Sequence, residues 1–157
     1  MINLAKDVAT KAHAGQQYGT GESYIVHPTQ AAVMAQRLGY PDEVVVACYL
    51  HDVLEDTAVT EDKLRKLFSD VVVEAVLAVT FMGKNSVAKI DKAMSHSLAH
   101  VVKFCDASSN FANVVISGPV KGNTMQDMIT RYTYYLSRLG ENLPSVEEVN
   151  TYLSVRM

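Results

Sequence analysis

A chain of 157 residues, 48% apolar and 20% charged, is long enough for one domain with a sizeable core and too apolar for intrinsic disorder. Its net charge of −3 leaves no overall basic footprint for nucleic acid, and no apolar run is long enough to span a bilayer. The amino-terminal stretch lacks the apolar core of a secretory signal, and Cys48 and Cys105 sit in separate apolar stretches, so a cytoplasmic protein with buried free thiols is expected rather than a disulfide or a metal-binding cysteine pair.

The elements read as helices. Residues 3–13 place Leu4, Val8 and Ala12 four apart, an amphipathic stripe. A glycine-containing loop, "GQQYGTGESY", follows. "HPTQAAVMAQRLG" then reads as a helix with Pro28 in its first turn and Gly39 at its stop. "PDEVVVACYLHDVLED" is apolar on most sides before it turns acidic, which predicts a central helix over 41–56. Thr60 is a suitable N-cap for "EDKLRKLF". The β-branched run "DVVVEAVLAVTF" fits a buried strand or a helix, and its length and helical flanks favour helix. "GKNS" breaks the chain. Ile90, Met94, Leu98, Val101 and Val102 carry a helical pattern through 87–106. The loop "SGPVKGN" precedes the helix "TMQDMITRYTYYLSRLG". The last helix opens at Ser145 with a capping box to Glu148. Strand signals are scarce, and linkers, repeats and low-complexity tracts are lacking. The expectation is one all-α domain over residues 1–157, a bundle of about seven or eight helices.

The unusual stretch is "YLHDVLEDT", residues 49–57. Helical spacing puts His51 above Glu55 and Asp52 above Asp56. Three carboxylates crowded on two turns repel, and burial raises the cost of their charge. A divalent cation relieves that conflict. Mixed carboxylate and imidazole donors suit manganese, iron or zinc better than calcium. Adjacent ligands are available only at a helix end or with the ion between their side-chain directions, so other segments must complete the site. A bare His-Asp pair at a solvated helix terminus is common without a metal. Two further residues strengthen the case. His27 stands before Pro28 at the mouth of a helix, and Asp106 ends the apolar run "AHVVKFCD", where a carboxylate needs a partner. His27, His51, Asp52 and Asp106 together offer two nitrogens and two oxygens. Glu55 and Asp56 are then free to act on water as base or orienting group.

"AHAGQ" at 12–16, "GESYIVHP" at 21–28, "YLHDVLEDT" at 49–57, "VLAVT" at 76–80 and "VVKFCDASSN" at 101–110 occur in this order in the hydrolase domain of RelA/SpoT-type alarmone enzymes, an HD-domain metal-dependent phosphohydrolase. The chain resembles that family over residues 5 to about 113, with a weaker echo in "RYTYYL" at 131–136. With no synthetase motifs following, it resembles the stand-alone small alarmone hydrolases, including metazoan ones. The resemblance implies an HD-domain helical bundle and a manganese ion, or another divalent transition metal, held by His27, His51, Asp52 and Asp106. It implies that Glu55 and Asp56 help activate water for removal of pyrophosphate from the 3′ position of ppGpp or pppGpp. It places Asn110 near the nucleotide. It implies a small nucleotide substrate and no membrane or nucleic-acid partner, and allows a homo-oligomer.

Four departures bear on recognition rather than on hydrolysis. Tyr18 stands where relatives carry an arginine associated with the base; its ring can stack on a purine but supplies no cation. Ser23 replaces a proline. Residues 83–96 lack the usual arginine-rich stretch, leaving Lys84, Lys89 and Lys92 as phosphate candidates. Asn113 stands where many relatives have threonine or aspartate. An adenosine alarmone such as ppApp, or a non-catalytic nucleotide-binding module, is therefore the alternative reading. Lys103 is a candidate for phosphate or for a solvated helix face. Arg131, with its planar fork, is the better anion ligand. Tyr132, Tyr134 and Tyr135 fit a core or the wall of a base pocket. His13 is expected to serve the loop that carries His27. His96 and His100, four apart without an acidic partner, are expected to make polar contacts rather than bind metal.

Overall fold

The computed structural model describes residues 1–18 and 21–156. Gly19 and Thr20, in the expected glycine-containing loop, and Met157 lie outside the described residues. Among the described residues the chain is all-α apart from one minimal ladder. Helix α1 (Ile2–Ala12) leads to strands β1 (Gln17–Tyr18) and β2 (Glu22–Ser23), which pair antiparallel with Tyr18 opposite Glu22. There follow α2 (Val26–Arg37), α3 (Asp42–Leu50), α4 (Val53–Asp56), α5 (Glu61–Arg65), α6 (Asp70–Val79), α7 (Ser86–Met94), α8 (Ser97–Ser117), α9 (Met125–Gly140) and α10 (Val146–Ser154).

Local chemistry sets the ends of these helices. The Thr60 side chain accepts from the Lys63 N–H, and Ser145 and Glu148 exchange both bonds of a capping box. Gly39 follows α2 at a φ of +81°, the left-handed conformation that glycine reaches without steric cost. The β-branched run is helix α6, and it buries Val71, Val72, Val73, Val76 and Val79. Tertiary burial outweighs the weak strand preference of valine there.

Two expected helices are each divided in two, so the segments outnumber the seven or eight expected. The stretch 41–56 breaks at His51 and Asp52, where Asp52 adopts φ −101° and ψ −6°. The stretch 87–106 breaks at Ser95 and His96. His96 turns extended, and its imidazole accepts the Ala99 N–H to start α8. In each case a polar side chain serves the backbone or a distant group instead of continuing the helix.

Two helices are central. Residues Val44 to Leu50 of α3 are all buried, and α3 packs against α1, α2, α6 and α8. Helix α8 packs against α2, α3, α6, α7 and α9. Each fully buried Val or Leu contributes about 1.5–3 kcal/mol of transfer free energy, so this apolar sleeve fixes the two helices rigidly. Cys48 on α3 and Cys105 on α8 are buried and free. A hydrogen bond to Cys105, together with burial, holds the Cys48 thiol well above its usual range. No helix among the described residues is long and apolar enough to cross a membrane.

Candidate metal centre

Three helices deliver the four expected ligands to one point. His27 lies in the first turn of α2, His51 caps the carboxyl end of α3, Asp52 occupies the break before α4, and Asp106 lies midway along α8. Helix α3 stops at His51, and at this helix end two adjacent side chains turn to the same point. His27, His51 and Asp106 are 3–4% exposed. They offer ligand atoms that all lie within 4.8 Å of one another.

The finer distances fit an ion. His51 Nε2 is 3.2 Å from His27 Nε2 and 3.0 Å from Asp52 Oδ2. His27 Nε2 is 3.1 Å from Asp106 Oδ1 and 3.5 Å from Asp52 Oδ2, and His51 Nε2 is 3.6 Å from Asp106 Oδ1. Donors about 2.1 Å from a shared cation stand about 3.0 Å apart in octahedral and about 3.4 Å apart in tetrahedral coordination. The observed separations bracket those values. His51 Nδ1 lies 2.7 Å from the Cys48 carbonyl oxygen, so Nδ1 is the donor and Nε2 is free to face the others.

The electrostatics favour positive charge at this point. Burial opposes ionisation of both imidazoles, yet Asp52 and Asp106 outweigh it and hold His51 well above its ordinary range and His27 raised. Burial likewise opposes the carboxylates, but the two imidazoles hold Asp52 well below its usual range. Lys103 and the imidazoles do the same for Asp106. A cluster with this bias accepts a proton or a metal cation at its centre. The residues therefore contain a His/Asp site that fits a divalent metal.

Glu55 and Asp56 lie one turn on, in α4. Glu55 is fixed by two contacts: Oε2 accepts the Phe81 N–H at 3.1 Å and Oε1 pairs with Lys89 Nζ at 3.1 Å. Burial, with the charges of Asp52 and Glu55, raises the pKa of Asp56. Tyr24 is a connector that the sequence reading did not single out. Its hydroxyl is 2.7 Å from Asp52 Oδ2 and 3.4 Å from Asp56 Oδ2. The available signal was its place in "GESYIVHP", three residues before His27. His13 stacks on the Tyr24 ring at 4.4 Å and reaches Gln16 Oε1 at 2.8 Å, and Gln16 Nε2 donates to the Asp56 carbonyl at 2.9 Å. His13 thus braces the loop and the acidic turn together.

The other candidates line a cleft of about 410 Å³ above the ligands, bounded by Tyr18, Lys89, Lys103, Asn110, Arg131 and Tyr132 among others. Asn110 Nδ2 donates to Asp106 Oδ1 at 2.7 Å. The Tyr18 hydroxyl donates to Asn110 Oδ1 at 2.7 Å and accepts from Asn113 Nδ2 at 3.0 Å. Lys103 is buried and its ammonium pairs with Asp106, so it forms part of the floor rather than a solvated face. Arg131 is exposed on α9, with a 3.4 Å contact to Asn123 Oδ1. Burial, with the Asp106 charge, pushes the Tyr132 phenol up to about 12.

The remaining lysines and histidines separate by role. Lys92 Nζ donates to the carbonyls of Leu77 and Thr80 at 2.8 and 2.7 Å and so caps the end of α6. Lys84 is exposed. His100 bonds the Leu139 carbonyl at 2.7 Å, and His96 reaches the Tyr152 hydroxyl at 3.1 Å, both outside the metal centre.

Comparisons with known proteins fit this arrangement. A guanosine-3′,5′-bis(diphosphate) 3′-pyrophosphohydrolase of Aquifex aeolicus is 39% identical over 83 residues, 53% of this chain and 12% of that protein. One of the same name from Borreliella burgdorferi is 26% identical over 97% of this chain and 24% of that protein. The chain therefore spans no more than about a quarter of these relatives' length. A solved structure described as a metazoan ortholog of SpoT that hydrolyzes ppGpp and plays a role in starvation responses shares the fold, with a TM-score of 0.77 at 19% identity, over 99% of this chain and 94% of that one. The HD domain model matches residues 5–126, a span that holds His27, His51 and Asp106 with ligand atoms within 4.8 Å of one another, and the chain belongs to the HD domain family.

Proposed function

We propose that the chain is a metal-dependent hydrolase that removes pyrophosphate from the 3′ position of ppGpp and pppGpp, giving GDP or GTP. The observation that carries this reading is the convergence of His27, His51, Asp52 and Asp106 at the floor of a cleft whose wall bears Glu55 and Asp56. The names of the relatives support the substrate. Manganese is the ion we expect at these ligands, and another divalent transition metal is compatible with the same donors. We read residues 1–157 as one domain acting in the cytoplasm.

A bound divalent cation supplies charge stabilisation at a phosphoryl oxygen and a lowered pKa for water. The chain's residues do the rest. His51 keeps Nε2 toward the centre through its Nδ1 bond to Cys48. Asp56, beside Tyr24 and one turn from Asp52, accepts the proton of the attacking water. Glu55, fixed by Phe81 and Lys89, orients that water. Water adds to the phosphorus next to O3′ as its proton passes to Asp56, the P–O3′ bond breaks, and O3′ leaves with the proton that Asp56 returns, giving the 3′-hydroxyl and pyrophosphate. The cleft carries the carboxylates of Asp52, Glu55, Asp56 and Asp106 against the cations of Lys89, Lys103 and Arg131. A bound divalent cation would shift that balance toward a highly anionic nucleotide. Arg131 and Lys89 are the side chains we assign to the outer phosphates, with Asn110 and Tyr18 toward the nucleoside.

Tyr18 favours one further reading, an adenosine alarmone such as ppApp, because it supplies no cation where the resembled family carries an arginine associated with the base. Incubation with manganese and equal ppGpp and ppApp, with product identification, tests both. GDP with pyrophosphate supports the leading reading and ADP with pyrophosphate the second. Metal bound without turnover of either nucleotide contradicts both.

A further inference from the structure

The two imidazoles at the centre are held in different ways. The His51 ring is fixed by its Nδ1 bond to the Cys48 carbonyl. His27 has no such anchor: its Nδ1 is buried and has no hydrogen-bond partner among the described residues. Its polar contacts, to Asp52, Asp106 and His51, all fall on Nε2. Those contacts hold one edge of the ring and leave its Nδ1 edge without a hydrogen bond among the described residues. The ring face meets an aromatic neighbour. Tyr18 lies parallel to it, with centroids 4.8 Å apart and planes 20° apart, while Tyr24 meets it edge-on at 5.9 Å.

Tyr18 is itself fixed at both ends. Its backbone is in the β1–β2 ladder opposite Glu22. Its hydroxyl is locked between Asn110 and Asn113, and Asn113 is in turn bonded to Gln30 of α2 at 2.7 Å. Asn110 passes the contact to Asp106. A continuous chain, His27–Tyr18–Asn110–Asp106, thus joins a ligand on α2 to a ligand on α8 through one residue of the hairpin.

We infer that Tyr18 is a positioning residue for the metal centre: its ring, stacked on His27 and tethered through its hydroxyl to Asn110 and Asn113, holds the imidazole in the orientation that presents Nε2. This rests on the metal reading proposed above, and it is a role separate from any contact with a base. One face of the ring is taken up by His27. Partners that orient a metal-binding histidine typically account for 10–100-fold in metal affinity.

The test is manganese titration of the wild type and of Tyr18→Phe, Tyr18→Leu and Tyr18→Gln by calorimetry, with the visible absorption of the cobalt-loaded proteins as a second readout. Tyr18→Phe keeps the stacked ring and loses only the tether, and is expected to fall between wild type and the ring-less variants, about 3-fold below wild type, with cobalt bands close to wild type. Tyr18→Leu and Tyr18→Gln remove the ring and are expected to bind about 10–100-fold more weakly, with shifted bands. Tyr18→Gln keeps a polar group near the asparagines, so it decides the matter if Tyr18→Leu does not fold. Leu or Gln variants that bind within twofold of wild type with unchanged bands overturn the inference and leave the metal reading standing. A wild-type protein that binds neither ion overturns the metal reading and this inference with it.

Discussion

The Tyr24 hydroxyl donates to Asp52 Oδ2 at 2.7 Å, although the two residues are 28 apart in sequence. Burial and the Asp52 charge hold the phenol protonated by raising its pKa, so it acts as a fixed donor to that carboxylate. Tyr24→Phe keeps the ring against His13 and deletes this bond. The account expects a loss of about 10-fold in manganese affinity with little change in helical content. Calorimetric titration beside circular dichroism measures both.

The proposed mechanism gives Asp56 a role separable from that of the residues proposed to hold the metal. Asp56→Asn keeps the shape of the acidic turn and removes the base. Turnover is expected to fall by about 10²–10⁴-fold while bound metal stays at the wild-type level. Elemental analysis of the protein used in the rate assay makes the comparison. A rate within a few-fold of wild type would remove Asp56 from the mechanism.

Lys103 and Asp106 form an ion pair with both side chains largely out of solvent. Asp106→Ala deletes a ligand and also strands the ammonium. Breaking such a pair from one side costs about 3 kcal/mol or more, whereas replacing both partners costs less. Asp106→Ala is therefore expected to lower stability to urea by about 3 kcal/mol in metal-free protein, and adding Lys103→Met to restore a good part of it. If the double variant is no more stable than the single one, the pair is not what the loss reflects.

His100 gives a pH dependence away from the metal centre. Burial lowers its pKa below the ordinary 6.5, against the opposing effect of its bond to the Leu139 carbonyl. The unfolded chain takes up this proton first as pH falls. The contribution of His100 is thus complete above about pH 6.5 and is lost as pH drops toward the folded value. His100→Gln keeps an amide donor and removes the titration. Its melting temperature is expected to lie below wild type at pH 7.5, with the gap narrowing at pH 5.5.

Much of this was readable from the residues alone, for a physical reason in each case. Helix ends at Thr60 and Ser145 follow from side chains that bond their own backbone, a local effect. The four residues that gather at the centre were legible because imidazoles and carboxylates in apolar surroundings need a partner. The side chains in contact with them were not. Tyr18 meets Asn110 across 92 positions, and nothing local marks that contact. Lys103 resembles a solvated lysine until α8 is seen to be central. Lys92 resembles a phosphate ligand until the end of α6 is seen beneath it. The break at His51 was hidden because the apolar pattern of α3 runs up to it without a glycine or proline.

The most direct test of the central claim is phosphorus NMR of wild-type protein with ppGpp, first stripped of metal by chelator and then reloaded with one equivalent of manganese. The account predicts no change in the stripped sample, and GDP with pyrophosphate in equal amounts after reloading. Intact ppGpp in the reloaded sample, with manganese bound, or equal turnover in both samples, would contradict it.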